Sequence, residues 1–573
     1  MHERGIQLRV WLVAALLFLA LCVLGVRLGY LHLANHSKLK REYTRELLAL
    51  RGRIFDCNDD QFPMAVSLPA RQYFLDPKAV KKGHDPKAVA KIVAEALGLE
   101  EADVAAKFRQ TDSRYIKLGI SLNDEAFALL ADAKHVSGIG AEELAIRSYP
   151  QGRRMSHVLG FVNNMGVGGA GIEQQFNAYL KGTPGLIRSE KDAGSIEIWS
   201  RRQVDVPPIP GSDVYLTLDH NIQYEVEQAL KEVVEKFQAA GGWSIVQRIK
   251  TGEILAIASY PDFEPANYTE ESVDVWRNNA LAIVYEPGSI MKSVTVASAL
   301  NEHLVTPDTM IDTGDGSWFY AGKPLRDHVT GLVSVSTALK KSSNIACAKI
   351  GLMLGIKRQE AYMRAFNFGE KLGIELPGEE KGILGHAKDW DKLKPTRIAI
   401  GQGVAVTGLQ MINAYSTIAN DGVMMRPYLV SQIKAPSGEV VFKARPQVLG
   451  RPVRPEVARM VREMLIGVTE EGGTGKRATV SGYSIGGKTG TAQKAVPGGY
   501  SSTDYYASFV GFVPAHEPVF SVLVSVERPR PQHTGGFVSA PVFARIAAAT
   551  ARYLEVPPDQ PAEEDDGKAD NSQ

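Results

Sequence analysis

The chain reads as an α+β protein. An antiparallel sheet is expected in its larger part, a smaller mixed α/β region before it, and one apolar helix at the start. Three observations predict this. Strand-like runs open and close residues 212–555, while the stretch from about 280 to 420 between them is mostly helical. Short strand-like and helical runs mix over residues 34–211. Val10–Val26 holds seventeen residues without a charge. The 573 residues, 44% hydrophobic and 23% charged, have an ordinary globular composition. That excludes a wholly disordered chain, collagen and a polytopic membrane protein.

At about 1.5 Å per residue, Val10–Val26 nearly crosses a hydrocarbon core of about 30 Å. Arg27 can snorkel, and Leu28–Leu33 extends the apolar character. A cleaved signal peptide would need a small-x-small site, but Arg27 and Tyr30 stand there. A lipoprotein site at Cys22 is disfavoured by Leu21. Residues 1–9 are therefore read as a short cytoplasmic tail and 10–33 as an uncleaved transmembrane anchor. Arg4 and Arg9 precede the segment, whereas Arg27, Lys38, Lys40 and Arg41 follow it, so the positive-inside count leaves orientation open.

Within residues 34–211, DPKAVAKIVAEALG (85–98) and DEAFALLADAKH (124–135) have helical spacing of apolar residues. The proline-rich VPPIPGSD at 206–213 marks a domain boundary. Next, DHNIQYEVEQALKEVVEKF (219–237) reads as an amphipathic helix. GWSIVQRI and EILAIASY then form a hairpin turned at Lys250-Thr251-Gly252. Strands return at YSIGGKTGTAQ, YYASFVGFV and VFSVLVSVE, and APVFARIAAATARYL closes the domain as a helix. Residues 556–573, rich in Pro, Asp and Glu, are expected to be a disordered acidic tail.

The net charge of +1, from 65 basic and 64 acidic residues, argues against a dedicated nucleic-acid binder. It conceals polarised ends: residues 1–41 carry +5 and residues 556–573 carry −5. Three cysteines make no disulfide scaffold. Without HExxH or paired CxxC, no metal site is expected. Gly401-Gln402-Gly403 lacks both the third glycine and the lysine of a nucleotide loop. Thr407 reads as a helix N-cap, Cys347 as a buried small hydrophobe and Cys57 as incidental.

Chemistry concentrates in three short elements. Ser289 follows a Pro-Gly turn and precedes a helix-compatible run, so Lys292 lies one turn on and on the same face. A serine hydroxyl needs a neighbouring base, and lysine serves when burial or nearby cations lower its pKa. Ser342-x-Asn344 interrupts a helical stretch with polar residues. Lys488-Thr489-Gly490 sits on a strand, where glycine admits a ligand backbone and Thr489 and Thr491 share one face. Each triplet has decoys: Ser37–Lys40, Ser431–Lys434, Ser121–Asn123 and Lys250–Gly252. Only Ser289, then Ser342 after 53 residues, then Lys488 after a further 146 puts all three in order in one domain.

This ordered set resembles the penicillin-binding proteins and serine β-lactamases. The surrounding blocks VYEPGSIMK, KKSSN, GQGVAVTGLQ, GGKTGTAQ, ASFVGFVP and TGGFVSAPVF resemble the class B penicillin-binding proteins, as do RGRIFD, SYPQGRRMSHVLGFV and GAGIEQQF before residue 177. The resemblance implies a penicilloyl-serine transferase fold, a five-stranded antiparallel sheet flanked by helices, over 212–555. It implies an elongated pedestal (dimerisation-type) domain over 34–211. By the same resemblance, Ser289 is the nucleophile toward a stem peptide ending in D-Ala-D-Ala, and Lys292 its base. Ser342 relays a proton to the leaving amine, and Asn344 binds the substrate amide. Lys488 supplies positive charge. Thr489, Gly490 and Thr491 line the carboxylate site, with the N–H groups of Ser289 and Thr491 as an oxyanion hole. An amine of a second stem peptide then makes the cross-link, and β-lactams acylate Ser289.

No cofactor is implied. The implied partners are peptidoglycan stem peptides, the membrane, a polytopic glycosyltransferase of the shape-elongation-division-sporulation family and other division proteins. The implied place is the bacterial cytoplasmic membrane, single-pass, with the catalytic domain outside. Ile290-Met291 and Gln247-Arg248 depart from the common family pattern but touch no named role. The compact first module and the TGGFVSAPVF ending favour the division (septal) type. The alternatives are an elongation-type enzyme, a D,D-carboxypeptidase or β-lactamase, and a β-lactam sensor.

Overall fold

The computed structural model describes residues 2–39, 41–58, 62–80, 85–110, 113–122, 124–132, 138–191 and 197–561. The chain forms two compact units. The smaller comprises residues 1–51, 68–146 and 181–211; the larger comprises 52–67, 147–180 and everything from Ser212 on.

The smaller unit begins with helix α1, His2–Leu39. The residues expected as a short tail before the anchor are thus helical from His2. Within α1, Gly5–His32 is long and apolar enough to cross a membrane, with a mean hydropathy of 2.5 and none of it buried in protein. After α1, strand Arg41–Leu47 pairs antiparallel with Gly185–Lys191. A second sheet has Val66–Leu75 between Ile116–Ser121 and Ile139–Ser148. Helix Pro86–Leu97, capped by Asp85 and closed by Gly98, packs Val89, Ala90 and Val93 against Tyr73, Leu75 and Phe108.

In the larger unit, helix α2 (His220–Lys236) is capped by Asp219, which accepts from the N–H groups of Asn221 and Ile222. The expected hairpin follows as β1 (Gly241–Arg248) and β2 (Ile254–Tyr260). Its turn needs Gly252: φ is +86°, and a Cβ there would lie 2.4 Å from the Arg426 carbonyl oxygen. Next come α3 (Lys292–Asn301), α4 (Val335–Lys340), α5 (Asn344–Ala365) and α6 (Gly408–Ala419). Thr407 does cap α6, in a reciprocal box with Gln410. Strands β3 (Gly486–Val496), β4 (Gly499–Val513) and β5 (Phe520–Glu527) precede helix α7 (Ala540–Tyr553).

The five strands make one antiparallel sheet in the order β2-β1-β5-β4-β3. Alternate residues face opposite layers. Trp243, Ile245, Ile257, Val510 and Leu523 join the core that contains α3 and α6. Val246, Ala256, Phe509, Val522 and Val524 face α2 and α7. The α+β class and the five-stranded sheet are as the sequence led us to expect.

Three features differ from the sequence reading. First, the helical stretch of 280–420 contains two short hairpins, Met310–Asp312 with Leu332–Ser334 and Ser317–Tyr320 with Lys323–Arg326. Gly314, Gly316, Gly322 and Gly331, all at positive φ, supply their turns.

Second, RGRIFD and the blocks at 148–176 belong mainly to the larger unit, although they precede the boundary placed near residue 211. Ile54–Phe55 extends a sheet by pairing in parallel with Asp213–Leu216. Arg53 binds Asp213 at 2.6 Å, and the buried pair Arg147–Glu173 also closes at 2.6 Å. Arg147 also donates to the Gly52 carbonyl oxygen at 2.8 Å.

Third, order extends past Val556, where a disordered tail was expected. Val556 is buried and its carbonyl accepts from the Tyr483 hydroxyl at 2.7 Å, while Asp559 accepts from the Ser484 N–H at 2.7 Å. The acidic remainder, residues 562–573, lies outside the described residues.

Candidate active site

The site lies where α3, the α4–α5 turn and β3 converge. Ser289 occupies a 3-10 turn, Gly288–Met291, leading into α3. Gly288 has φ +57° and donates its N–H to the Gly401 carbonyl oxygen at 3.0 Å. Gly401 must be glycine, because a Cβ there would lie 2.0 Å from the Gly288 oxygen. Gly403 donates its N–H to Glu286 at 2.7 Å. The Gly-Gln-Gly run therefore braces the turn that presents Ser289.

Lys292 begins α3 and is fully buried. Its Nζ donates to Ser342 O at 2.6 Å, to Ser342 Oγ at 3.2 Å and to Asn344 Oδ1 at 2.7 Å. Burial pushes its pKa below the ordinary lysine value, opposed by the Cys347 thiol and the Asp327 carboxylate. Ser342 sits at φ +59°, left-handed backbone uncommon for a serine, in the break between α4 and α5. Ser343 caps α5, its side chain accepting from the Ala346 N–H.

Strand β3 carries the last element. Lys488 is fully buried and donates to the Thr489 carbonyl oxygen at 3.3 Å. Burial first, then the Lys292 charge, drive its pKa well below the ordinary value. Thr489 Oγ1 lies 2.8 Å from Thr474 Oγ1, and the Gly535 N–H donates to Thr491 Oγ1 at 3.1 Å. Gly490 lets the strand approach the serine turn: a Cβ would meet Ile290 at 3.1 Å and the Pro287 oxygen at 3.3 Å.

Ser289, Ser342, Thr489 and Thr491 line one groove of about 480 Å³. Lys292 and Lys488 lie buried behind its wall. Asn344 is engaged with Lys292, and its Nδ2 donates to the Arg326 carbonyl oxygen at 3.2 Å. The three elements, separated by up to 199 positions between Ser289 and Lys488, thus meet at one place. The decoy Ser431–Lys434 lies on a strand of another sheet.

The groove also uses residues the sequence reading gave no role: His328, Thr474, Lys476, Arg477, Thr534, Gly536 and Phe537. The TGGFVSAPVF block held a signal for the last three, since the glycines at 535 and 536 permit close packing. A Cβ on Gly535 would lie 2.1 Å from the Ser508 oxygen, and one on Gly536 2.5 Å from the Thr474 oxygen. His328 and Thr474 sit in no recognisable spacing. Cys347 is fully buried, as expected, beside both lysines, and burial raises its thiol pKa.

Residues 242–548 match the penicillin binding protein transpeptidase domain family, and residues 46–216 the penicillin-binding protein dimerisation domain family. The chain belongs to the class B penicillin-binding proteins. Over 581 residues it is 32% identical to stage V sporulation protein D of Bacillus subtilis strain 168, covering 97% of this chain and 88% of that protein. It is 28% identical to the peptidoglycan D,D-transpeptidase FtsI of Escherichia coli K12, covering 97% of this chain and 94% of FtsI. Among solved structures, penicillin-binding protein 3 of Mycobacterium tuberculosis complexed with aztreonam aligns with a TM-score of 0.70 and 27% identity. That alignment covers 90% of this chain and 99% of that structure.

Proposed function

We propose that this class B penicillin-binding protein is a serine-type peptidoglycan D,D-transpeptidase whose acyl-enzyme forms on Ser289. One observation carries the reading: a serine at a braced helix entrance shares a groove with Ser342, Thr489 and Thr491, with two buried lysines behind it. Neutral Lys292 takes the Ser289 proton as Oγ adds to the penultimate D-Ala carbonyl of a stem peptide. Burial favours the neutral amine, and the oxygens of Ser342 and Asn344 aim it. The N–H groups of Ser289 and Thr491 hold the oxyanion, each worth on the order of 3 kcal/mol. Ser342 returns the proton to the departing D-Ala amine. An amine of a neighbouring stem peptide then attacks the ester, forms the cross-linking amide and releases Ser289. Asn344 orients Lys292 in the free enzyme and turns to the substrate amide on binding. Thr489 and Thr491 hold the terminal carboxylate, Lys488 adds positive charge near it and Ser342, and Gly490 leaves room for the ligand backbone.

β-Lactams present the same carbonyl and carboxylate and acylate the same serine. Aztreonam, bound to the M. tuberculosis relative, belongs to that chemical class. Since cross-linking takes place outside the cytoplasm, α1 serves as a single-pass anchor with the groove on the extracytoplasmic side. The likeness to FtsI over nearly the whole chain favours septal synthesis beside a polytopic glycosyltransferase of the shape-elongation-division-sporulation family and other division proteins.

Two experiments test this. Fluorescent penicillin should label the wild type and not S289A; equal labelling of both would move the nucleophile elsewhere. Depletion in the host should give filaments, whereas round cells without a division block would assign the enzyme to elongation.

A further inference from the structure

The reaction described above leaves unused a buried carboxylate beside its lysines. Asp327 ends the second hairpin of the 310–334 insert, and its side chain is 0% exposed. Its Oδ2 accepts from Ser343 Oγ at 2.5 Å and from the Ile345 N–H at 2.8 Å. Its Oδ1 accepts from the Val329 N–H at 3.2 Å and faces His328 Nδ1 at 3.5 Å. His328 in turn places Nε2 2.8 Å from the Lys341 carbonyl oxygen. Residues 341, 343 and 345 are therefore tied to one dipeptide, and between them stands Ser342 at φ +59°. Left-handed backbone at such a residue persists only when its surroundings over-determine it.

Charge adds a second argument. A carboxylate is costly to bury, and among the described residues no lysine or arginine forms an ion pair with Asp327. Holding Ser343 and Ile345 needs only an acceptor, which asparagine would supply. What asparagine lacks is the charge. The groups that face this carboxylate electrostatically come from three elements: Lys292 on α3, Cys347 on α5 and His328 on its own loop. Lys488 on β3 joins the set through Lys292 and Cys347.

We infer that Asp327 is a positioning residue for acylation: with His328 it pins the backbone around Ser342, so that Ser342 and Asn344 meet Lys292, and it is the buried counter-charge of Lys292. The inference rests on the proposed role of Lys292 as the base for Ser289.

The test is the second-order rate of acylation by a fluorescent penicillin, followed across pH for wild type, D327N and S343A. Removing the anion favours the neutral form of Lys292. That moves the acid limb of the D327N profile to lower pH, while its amide, which keeps one acceptor but turns a donor toward the Val329 N–H, should loosen the turn and slow acylation about tenfold or more. S343A breaks one anchor and keeps the charge, so it should acylate several-fold more slowly with the limb in place. A D327N enzyme within about twofold of wild type, or slowed with an unmoved limb, would reduce Asp327 to a helix-end contact. Should D327N not fold, S343A decides: a rate within about twofold of wild type overturns the inference. Failure of the wild type to be labelled would instead overturn the reading of Ser289.

Discussion

Ser342 concentrates the backbone strain of the active site. At φ +59° it stores on the order of 1–3 kcal/mol, held in place by the turn that brings its two oxygens to Lys292. S342G should relieve that strain and S342A should keep it, while both lose the hydroxyl. We expect both to acylate poorly, with S342G about 1 kcal/mol the more stable in urea unfolding. Equal midpoints would show the turn to be unstrained. Gly535 is the converse case. A methyl group there would press on the Ser508 and Gly490 oxygens, so G535A should cost about 1–3 kcal/mol, read as a lowered Tm, and should slow penicillin acylation by disturbing β3. At this scale Ser289, Lys292 and Lys488 were legible, because each stands in a short triplet and only one ordered set of such triplets falls within one domain. Asp327 and Thr474 were not, because their partners come from turns that only the folded chain brings near.

Helix α2 and the segment at 153–157 illustrate the element scale. Glu227 on α2 accepts from the Met155 N–H and from Gln223, each at 2.8 Å, and burial pushes its pKa up to about 7 from an ordinary 4.5. His157 lies edge-on to Phe263 with Nε2 2.8 Å from the Val275 oxygen, and burial pushes it down to about 4 from 6.5. The signs oppose. The folded protein holds Glu227's proton more tightly than the unfolded chain does, so Glu227's contribution is full below pH 4.5 and lost as pH rises toward 7. His157 is buried neutral, so its contribution is full above pH 6.5 and lost as pH falls toward 4. Each amounts to on the order of 3 kcal/mol, and in the wild type they largely cancel. E227Q should therefore lose stability on acidification below 6.5, and H157Q should lose it as pH rises from 4.5 to 7. Urea midpoints across pH check this, and profiles parallel to wild type in both variants would refute it. Apolar periodicity revealed α2, but that pattern does not distinguish Glu227 from the other charged residues of the helix.

The whole molecule adds a division that does not follow chain order. A chain lacking residues 1–39 should partition into the aqueous phase and acylate within about twofold of the full-length protein, since Gly5–His32 buries nothing in protein. Partition into detergent would place a membrane contact elsewhere. Read alone, the sequence established the apolar first helix, the α+β class, the order of the sheet-forming runs and the three short elements that meet at the groove. All of these depend on local hydropathy, periodicity or spacing. Only folding could show which stretches of 52–180 join the larger unit, through pairings such as Ile54 with Val214 and the Met155 N–H with Glu227. It alone decided that Lys292 and Lys488 are fully buried, which lowers both their pKa values. Lysine is seldom buried, and desolvation is set by every neighbour at once, so no reading of a single segment carries it.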